Sequence, residues 1–161
     1  MIILGIDPGY AIVGFGVIKH YQNKFHTLGY GSITTTPDLK MDQRLLIIYN
    51  ELQQIISKYK PSYVSIEKLY FTSNQKTAIA VAQARGVILL TCAKNNLPIF
   101  EYTPLQIKQA VVGYGRATKS QVITMVSSLL KLQNAPKLDD TADALAVAVC
   151  HAHSSNSLFI K

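Results

Sequence analysis

Acidic side chains are scarce in this sequence of 161 residues, with 9 Asp and Glu against 16 Lys and Arg and a net charge of +7. The resulting pI is near 9.4. A surface of this sign suits a polyanionic partner, most often nucleic acid. Cysteine is almost absent. Cys92 and Cys150 form no CxxC and cannot make a disulfide framework, so a reducing cytoplasm is the expected compartment. The first apolar run has no basic leader and already carries Asp7, which is not the pattern of a signal peptide. No apolar run approaches the ~20 residues that cross a bilayer, so no membrane partner is expected. Internal repeats and long linkers are also missing.

What is present is enough for one core. Hydrophobic residues make up 48% of the chain, and a domain of this length buries roughly 70% of its unfolded surface. Met1 to Gly9 organises the rest. Residues 2–6 are apolar without alternation, as in a strand buried on both faces. The run stops at Asp7, and Pro8-Gly9 turns the chain. Residues 13–18 pair back as a hairpin, and 24–35 read as a third antiparallel strand. Pro37-Asp38 opens a helix whose apolar residues Met41, Leu45, Ile48, Leu52, Ile55, Ile56 and Tyr59 share one face. After Pro61, residues 63–66 form a short strand that again ends in a carboxylate, Glu67.

The remaining elements alternate. Ser73 or Asn74 can cap an Ala- and Val-rich helix over 75–95. Residues 98–102 form a strand. Thr103-Pro104-Leu105-Gln106 and Thr118-Lys119-Ser120-Gln121 are capping boxes that start helices ending near Val112 and Lys131. A last helix runs from Asp139 to about His151, with Asp139 as its N-cap. Ser154 begins a frayed tail. This order predicts an α/β fold, with a mixed sheet and helices on both faces.

Three of the nine acids, Asp139, Asp140 and Asp143, fall within five residues. Asp140 and Asp143 share a helix face, where like charges repel. The helix dipole accounts for Asp139. It accounts less well for Asp143, whose neighbours Ala142, Ala144, Leu145 and Ala146 are those of a packed helix. An acid there calls for a cation. Mg²⁺ prefers a few carboxylate oxygens with positions left for water and phosphate, and two such ions can clamp both oxygens of a phosphodiester in displacement. Lys108 and Lys119 flank the basic loop Gly113-Tyr114-Gly115-Arg116. Lys119 opposes the dipole at a helix start, a conflict that a phosphate would relieve. Arg85 is as well suited to a structural ion pair as to DNA. Tyr70-Phe71 lies in a polar stretch beside Glu67, where aromatics could stack on unpaired bases. His151 and His153 read as dipole partners at a helix C-terminus, with His151 a candidate neighbour of the site.

Gly5-Ile6-Asp7-Pro8-Gly9, Ile66-Glu67, Gln83-Ala84-Arg85-Gly86, Val111-Val112-Gly113 and Asp140-Thr141-Ala142-Asp143-Ala144-Leu145-Ala146 together resemble the RuvC family of Holliday junction resolvases. The resemblance runs from residue 1 to about His153. It implies a ribonuclease H-like fold with a mixed five-stranded sheet, in a single nuclease domain over 1–153 followed by a tail over 154–161. It implies a Mg²⁺-dependent phosphodiester hydrolase, with two ions per site, that cuts opposing strands of a four-way DNA junction. The products would carry 5′-phosphate and 3′-hydroxyl ends. Asp7, Glu67, Asp140 and Asp143 are then the catalytic and metal-binding acids, and Asp139 competes with Asp140. Tyr70, Phe71, Asn74, Lys108, Arg116 and Lys119 are the DNA-binding candidates. Tyr70 stands where the family usually has phenylalanine. Implied partners are junction DNA, a second copy in a homodimer, and junction-binding and branch-migration proteins of the RuvA and RuvB type.

Other classes fit less. An actin-like ATPase or sugar kinase resembles Asp7-Pro8-Gly9 but needs a second lobe. A non-catalytic DNA-structure-binding module has no use for converging acids. A ribonuclease H-like nuclease for structured ribosomal RNA is the alternative within the fold.

Overall fold

The structure is a computed structural model and describes residues 1–69, 75–134, 136 and 138–158. The chain order is β1 (Ile2–Asp7), β2 (Ile12–Tyr21), β3 (Lys24–Thr34), α1 (Met41–Tyr59), β4 (Tyr63–Glu67), α2 (Gln75–Lys94), β5 (Ile99–Tyr102), α3 (Pro104–Val112), α4 (Lys119–Leu129) and α5 (Asp139–Leu158). The five strands form one sheet in the order β3-β2-β1-β4-β5. The first three are antiparallel, and β1, β4 and β5 run parallel. The apolar run of β1 is explained by its position: it is the middle strand, and Ile3, Leu4 and Ile6 are fully buried.

Local chemistry sets most element ends. The β2–β3 turn places Gln22 and Asn23 at positive φ, 49° and 59°, as a two-residue turn of right-handed twist requires. Both expected capping boxes form, at Thr103 with Gln106 and at Thr118 with Gln121. Three ends differ from expectation. Helix α1 starts at Met41, with Lys40 rather than Pro37-Asp38 at its entry and the Gln43 side chain accepting from the Lys40 N–H. Helix α5 begins at Asp139, so this residue is in the first turn and is not the N-cap. The same helix continues to Leu158, so residues 154–158 are helical rather than a frayed tail. Ser154 and Ser155 bond back to the carbonyls of Cys150 and Ala152, which satisfies their hydroxyls without leaving the helix.

Strand parity sorts the two faces, since successive side chains point to opposite sides. Leu4, Ile6, Val64 and Ile66 join one core with Ile48, Leu52 and Ile56 of α1 and Ala84, Ile88 and Cys92 of α2. Ile3 and Ile18 join the other with α3, α4 and α5. Ile3, Gly5 and Asp7 therefore share the α5 face, as do Tyr63, Ser65 and Glu67.

Helix α5 lies against glycines. A Cβ on Gly5 would meet the Ala144 carbonyl and the Ala148 side chain, one on Gly14 the Asp140 carbonyl, and one on Gly16 the Leu145 side chain. The small residues Ala142, Ala144, Ala146 and Ala148 are fully buried along the same helix. Thr141 fastens its start, donating from Oγ1 to the Gly31 carbonyl of β3 at 3.1 Å.

Helix α2 is only half covered. Its window Thr77–Lys94 has the length and apolarity of a membrane-crossing helix, which the sequence reading did not expect, and 22% of it is buried. Ile79 and Leu90 are exposed at 72% and 58%, whereas Ala84, Ile88 and Cys92 are buried. The buried residues pack in the core shared with α1, leaving one apolar face open.

A Gly5→Ala chain should lose about 1–3 kcal/mol or more of unfolding free energy in chemical denaturation, the range for overpacking, because the added methyl meets helix backbone that cannot step aside. Stability equal to that of the unaltered chain would mean that α5 is not seated this closely.

Candidate functional site

Asp7 and Glu67 end neighbouring parallel strands. The β1–β4 ladder closes at Ile6 opposite Ile66, so the next residue on each strand is a carboxylate, and parity turns both toward α5. Asp7 pairs across the antiparallel ladder with Gly14. The Asp140 carbonyl rests on that glycine, so the first turn of α5 is set beside Asp7. Asp143 follows less than one turn later on the same helix.

The electrostatics register this convergence. Burial, then Glu67, Asp143 and Asp140 in that order, push the Asp7 carboxyl up to about 8. Burial and the Asp143 charge push Glu67 up to about 7, against the pull of Lys119 and Lys108. Asp143 is raised by burial, with Lys119 opposing. Without a cation, Asp7 therefore keeps a proton at neutral pH. Asp139 is absent from the charges that act on Asp7. It pairs instead with Lys119 at 3.3 Å on the outer side of the helix. Asp140, not Asp139, is the helix-start acid that faces the strand ends.

Lys119 is the cation that Asp143 calls for in the absence of metal. Its Nζ lies 3.1 Å from Asp143 Oδ2. Burial works to lower the Lys119 ammonium, and the Asp143 and Asp139 carboxylates outweigh it and raise it. Thr118 and its capping box hold this lysine at the first position of α4. A pocket of about 250 Å³ opens beside these groups, lined by Glu67, Asp143, Lys108, Lys119, Pro104, Ile107 and Val122. Its rim has two acids and two bases and its walls are apolar. Pro104 and Val122 owe their places to the capping boxes.

Among the described residues, no three His, Cys, Asp or Glu side chains stand close enough to cage a metal ion. The chemistry of the donor set nevertheless fits a hard divalent cation. It consists of carboxylate oxygens alone, at a solvent-reached strand edge, in a cluster whose burial and mutual repulsion favour the protonated form. Asp7, Glu67, Asp140 and Asp143 are the residues that could hold one.

Other expected residues fall elsewhere. Tyr70, Phe71 and Asn74 lie outside the described residues. Arg116 is exposed on the α3–α4 connection and does not line the pocket. Arg85 makes an ion pair with Glu101. His151 is not a helix-end dipole partner, because α5 runs on past it. It is 2% exposed, its Nδ1 lies 2.8 Å from the Tyr102 hydroxyl, and Phe100 and Tyr63 pack on its ring. Burial holds it below the usual histidine range. The structural ion pair expected as one role for Arg85 forms, with Glu101 as a partner the sequence reading did not name, and that reading missed the Asp139–Lys119 pair; both join residues on separate elements.

The sequence model of the family described as crossover junction endodeoxyribonuclease RuvC matches residues 3–151. A protein of that description from Alkaliphilus oremlandii is 58% identical over 156 residues, 97% of this chain and 95% of that protein. Another from Ruminiclostridium cellulolyticum is 56% identical over 154 residues, 96% of this chain and 93% of that one. Among solved structures, Thermus thermophilus RuvC superposes with a TM-score of 0.89 at 31% identity, covering 98% of this chain and 96% of that chain. The same protein in complex with a Holliday junction substrate gives 0.89 at 29% identity over the same shares. These likenesses carry the ribonuclease H-like α/β fold that the mixed sheet and its two helical layers display. Matched along nearly its whole length by the family and by relatives sharing more than half their residues, this chain belongs to the crossover junction endodeoxyribonuclease RuvC family.

Proposed function

We propose that the chain resolves four-way DNA junctions by a pair of symmetric nicks in opposing strands, with divalent metal, in DNA recombination and repair. The observation that carries the reading is the cluster of four mutually repelling carboxylates at one sheet edge of a protein with net charge +7. Scarce acids gathered where they cost stability point to a cation as their purpose. The relative captured on a Holliday junction supports the substrate. A nicking assay on a synthetic four-way junction, with and without Mg²⁺, tests the reading directly, and an equally rapid cut of plain duplex would overturn it.

In this reading Asp7, Glu67, Asp140 and Asp143 hold the metal, and bound Mg²⁺ supplies Lewis acidity toward the scissile phosphate and makes water a usable nucleophile at neutral pH. The chain's own residues do the rest. Lys108 and Lys119 share the pocket with Glu67 and Asp143, where their charge meets the phosphate, and Arg116 extends this basic reach along the loop. Tyr70 and Phe71, beside Glu67 in sequence, would stack on bases opened at the crossover, with Asn74 close by. The cut leaves 5′-phosphate and 3′-hydroxyl ends that a ligase can seal. Junction-binding and branch-migration proteins would work beside it.

Two cuts need two sites. One chain carries one cluster, so a two-fold homodimer supplies the second. The open face of α2 suits that contact. Ile79 and Leu90 are exposed on it, and a Cβ on Gly86 would meet nothing within 4 Å. Glycine in mid-helix costs up to about 1 kcal/mol relative to alanine, and nothing among the described residues requires it there. A close-packed second copy would.

Asp7→Asn should lower junction cleavage on the order of 10²–10³-fold or more, the cost of removing one preorganised charge contact, while junction binding persists or tightens. The same variant has a pH signature. A carboxyl raised to about 8 in the folded state contributes stability that is present below its unfolded value and lost as pH rises through about 8. In chelator, the thermal midpoint of Asp7→Asn should therefore exceed that of the unaltered chain increasingly from pH 5 to pH 9. Added Mg²⁺ should close the gap by raising the unaltered chain alone. A gap that does not change with pH would contradict the buried-acid assignment.

Lys119→Ala should weaken junction binding and flatten the plot of log affinity against log salt by about one unit, as expected for one lost phosphate contact. An unchanged slope and turnover would return Lys119 to a purely structural pairing with Asp139 and Asp143. In mixed dimers, one unaltered and one Asp7→Asn chain should nick a single strand and fail to resolve. A fully active monomer in sedimentation would overturn the dimer.

A further inference from the structure

Glu67 is the last residue of β4, which lies between β1 and β5. The ladder with β1 stops at Ile66, whereas the ladder with β5 continues to Glu67 opposite Tyr102. The Lys68 N–H then donates to the Tyr102 carbonyl at 2.8 Å. Strand β5 has four residues and lies at the edge of the sheet, so it cannot be kept straight by a strand beyond it. The placement of Glu67 thus rests in part on a short edge strand and on whatever pins that strand.

Side chains pin it from both faces. Tyr102 has the parity of Glu67 and meets His151 of α5. Glu101 has the parity of Ile66, faces the other layer, and pairs with Arg85 of α2. The arginine side chain is 18% exposed and the glutamate 40%. Arg85 Nε is buried without a hydrogen-bond partner among the described residues, and burial lowers the guanidinium from its usual range. A shielded arginine with this one described carboxylate against it is a directed contact, unlike a free surface pair. Arg85 and Glu101 also line a cleft of about 390 Å³ with Lys68 and Leu69, the two residues that leave Glu67, and with Gly86 of α2.

We propose that Arg85 is a positioning residue for Glu67, acting through Glu101 and β5, and that it ties the open face of α2 to the metal-binding end of the sheet. This rests on the assignment of Glu67 as a metal-holding carboxylate. Arg85 is adjacent in sequence to Gly86, where a second copy would press. Seating of the dimer therefore stiffens the helix that holds β5, and β5 holds Glu67. An active site completed by its own dimer contact would keep an isolated chain from cutting DNA.

The test uses the full chain with Glu101→Gln, Arg85→Gln and the exchange Arg85→Glu with Glu101→Arg. Mn²⁺ binding by electron paramagnetic resonance reads metal affinity without turnover, and Mg²⁺ titration of junction nicking reads the site at work. Glu101→Gln and Arg85→Gln should each raise both half-saturating metal concentrations about tenfold, the usual loss when a group behind a ligand is removed. Junction affinity in chelator and the sedimentation of the dimer should be unchanged, and the exchange should recover most of the loss. Glu101→Gln keeps its shape at a half-exposed position, so it carries the test alone if the arginine variants fold poorly. Unshifted metal affinity in Glu101→Gln overturns the proposal, as does a fall in nicking that no metal concentration restores. Failure of the functional reading looks different: the unaltered chain would then bind Mn²⁺ without nicking a junction.

Discussion

The approach of α5 to the glycines of β1 and β2 is the contact on which the rest of this structure depends. Gly5, Gly14 and Gly16 remove the side chains that would hold the helix off the sheet, and a line of alanines on α5 does the same from the other side. Close packing of backbone on backbone leaves little freedom for the helix to slide or roll. Its first turn then falls beside the end of β1. Strand parity brings Asp7 and Glu67 to the same side, and the acids of α5 arrive there because the helix has one place to sit. The site is thus a by-product of core packing, and the two cannot be changed independently.

Bringing acids together in this way runs against folding. Burial first, and neighbouring carboxylates second, push Asp7 up to about 8 and Glu67 up to about 7. Protons on these groups and the Lys119 ion pairs with Asp143 and Asp139 limit the cost. Both are provisional partners, of the kind a divalent ion displaces, since metal binding to carboxylates releases protons. The strain sits at the active end of the sheet, while the opposite side of the molecule follows ordinary rules of burial. That division is expected where function sets the local chemistry.

The two outer layers carry different duties. Helices α3 and α4 each start with a capping box that fixes one wall of the pocket, and α4 presents Lys119 at its first residue. Helix α2 packs half of itself on α1 and leaves Ile79 and Leu90 in solvent. A long apolar helix with a half-empty face resembles a membrane segment by composition, but Arg85 in its middle is paired with Glu101. The likeness to Thermus thermophilus RuvC at 31% identity and a TM-score of 0.89 shows how little of the sequence this arrangement requires.

Much of this was legible in the chain. The unbroken apolar run of β1, the capping boxes at Thr103 and Thr118, and strands stopped by Asp7 and Glu67 are local signals. Local signals survive because backbone geometry and hydrogen bonding within a few residues produce them. The family motifs singled out the four acids before any coordinates. The reading fell short where distance along the chain mattered. Nothing near Asp143 in sequence says that Lys119 is its cation, nor that Glu101 takes Arg85. Ser154 and Ser155 look like the start of a frayed end until α5 is seen to carry on, with their hydroxyls turned back onto the helix. Composition and periodicity by themselves determined the strands, the helices and the faces they bury. Only tertiary packing decided which acid of the Asp139-Asp140 pair turns inward, which lysine meets Asp143, and which edge strand supports Glu67, because each depends on the register of elements brought together from opposite ends of the chain.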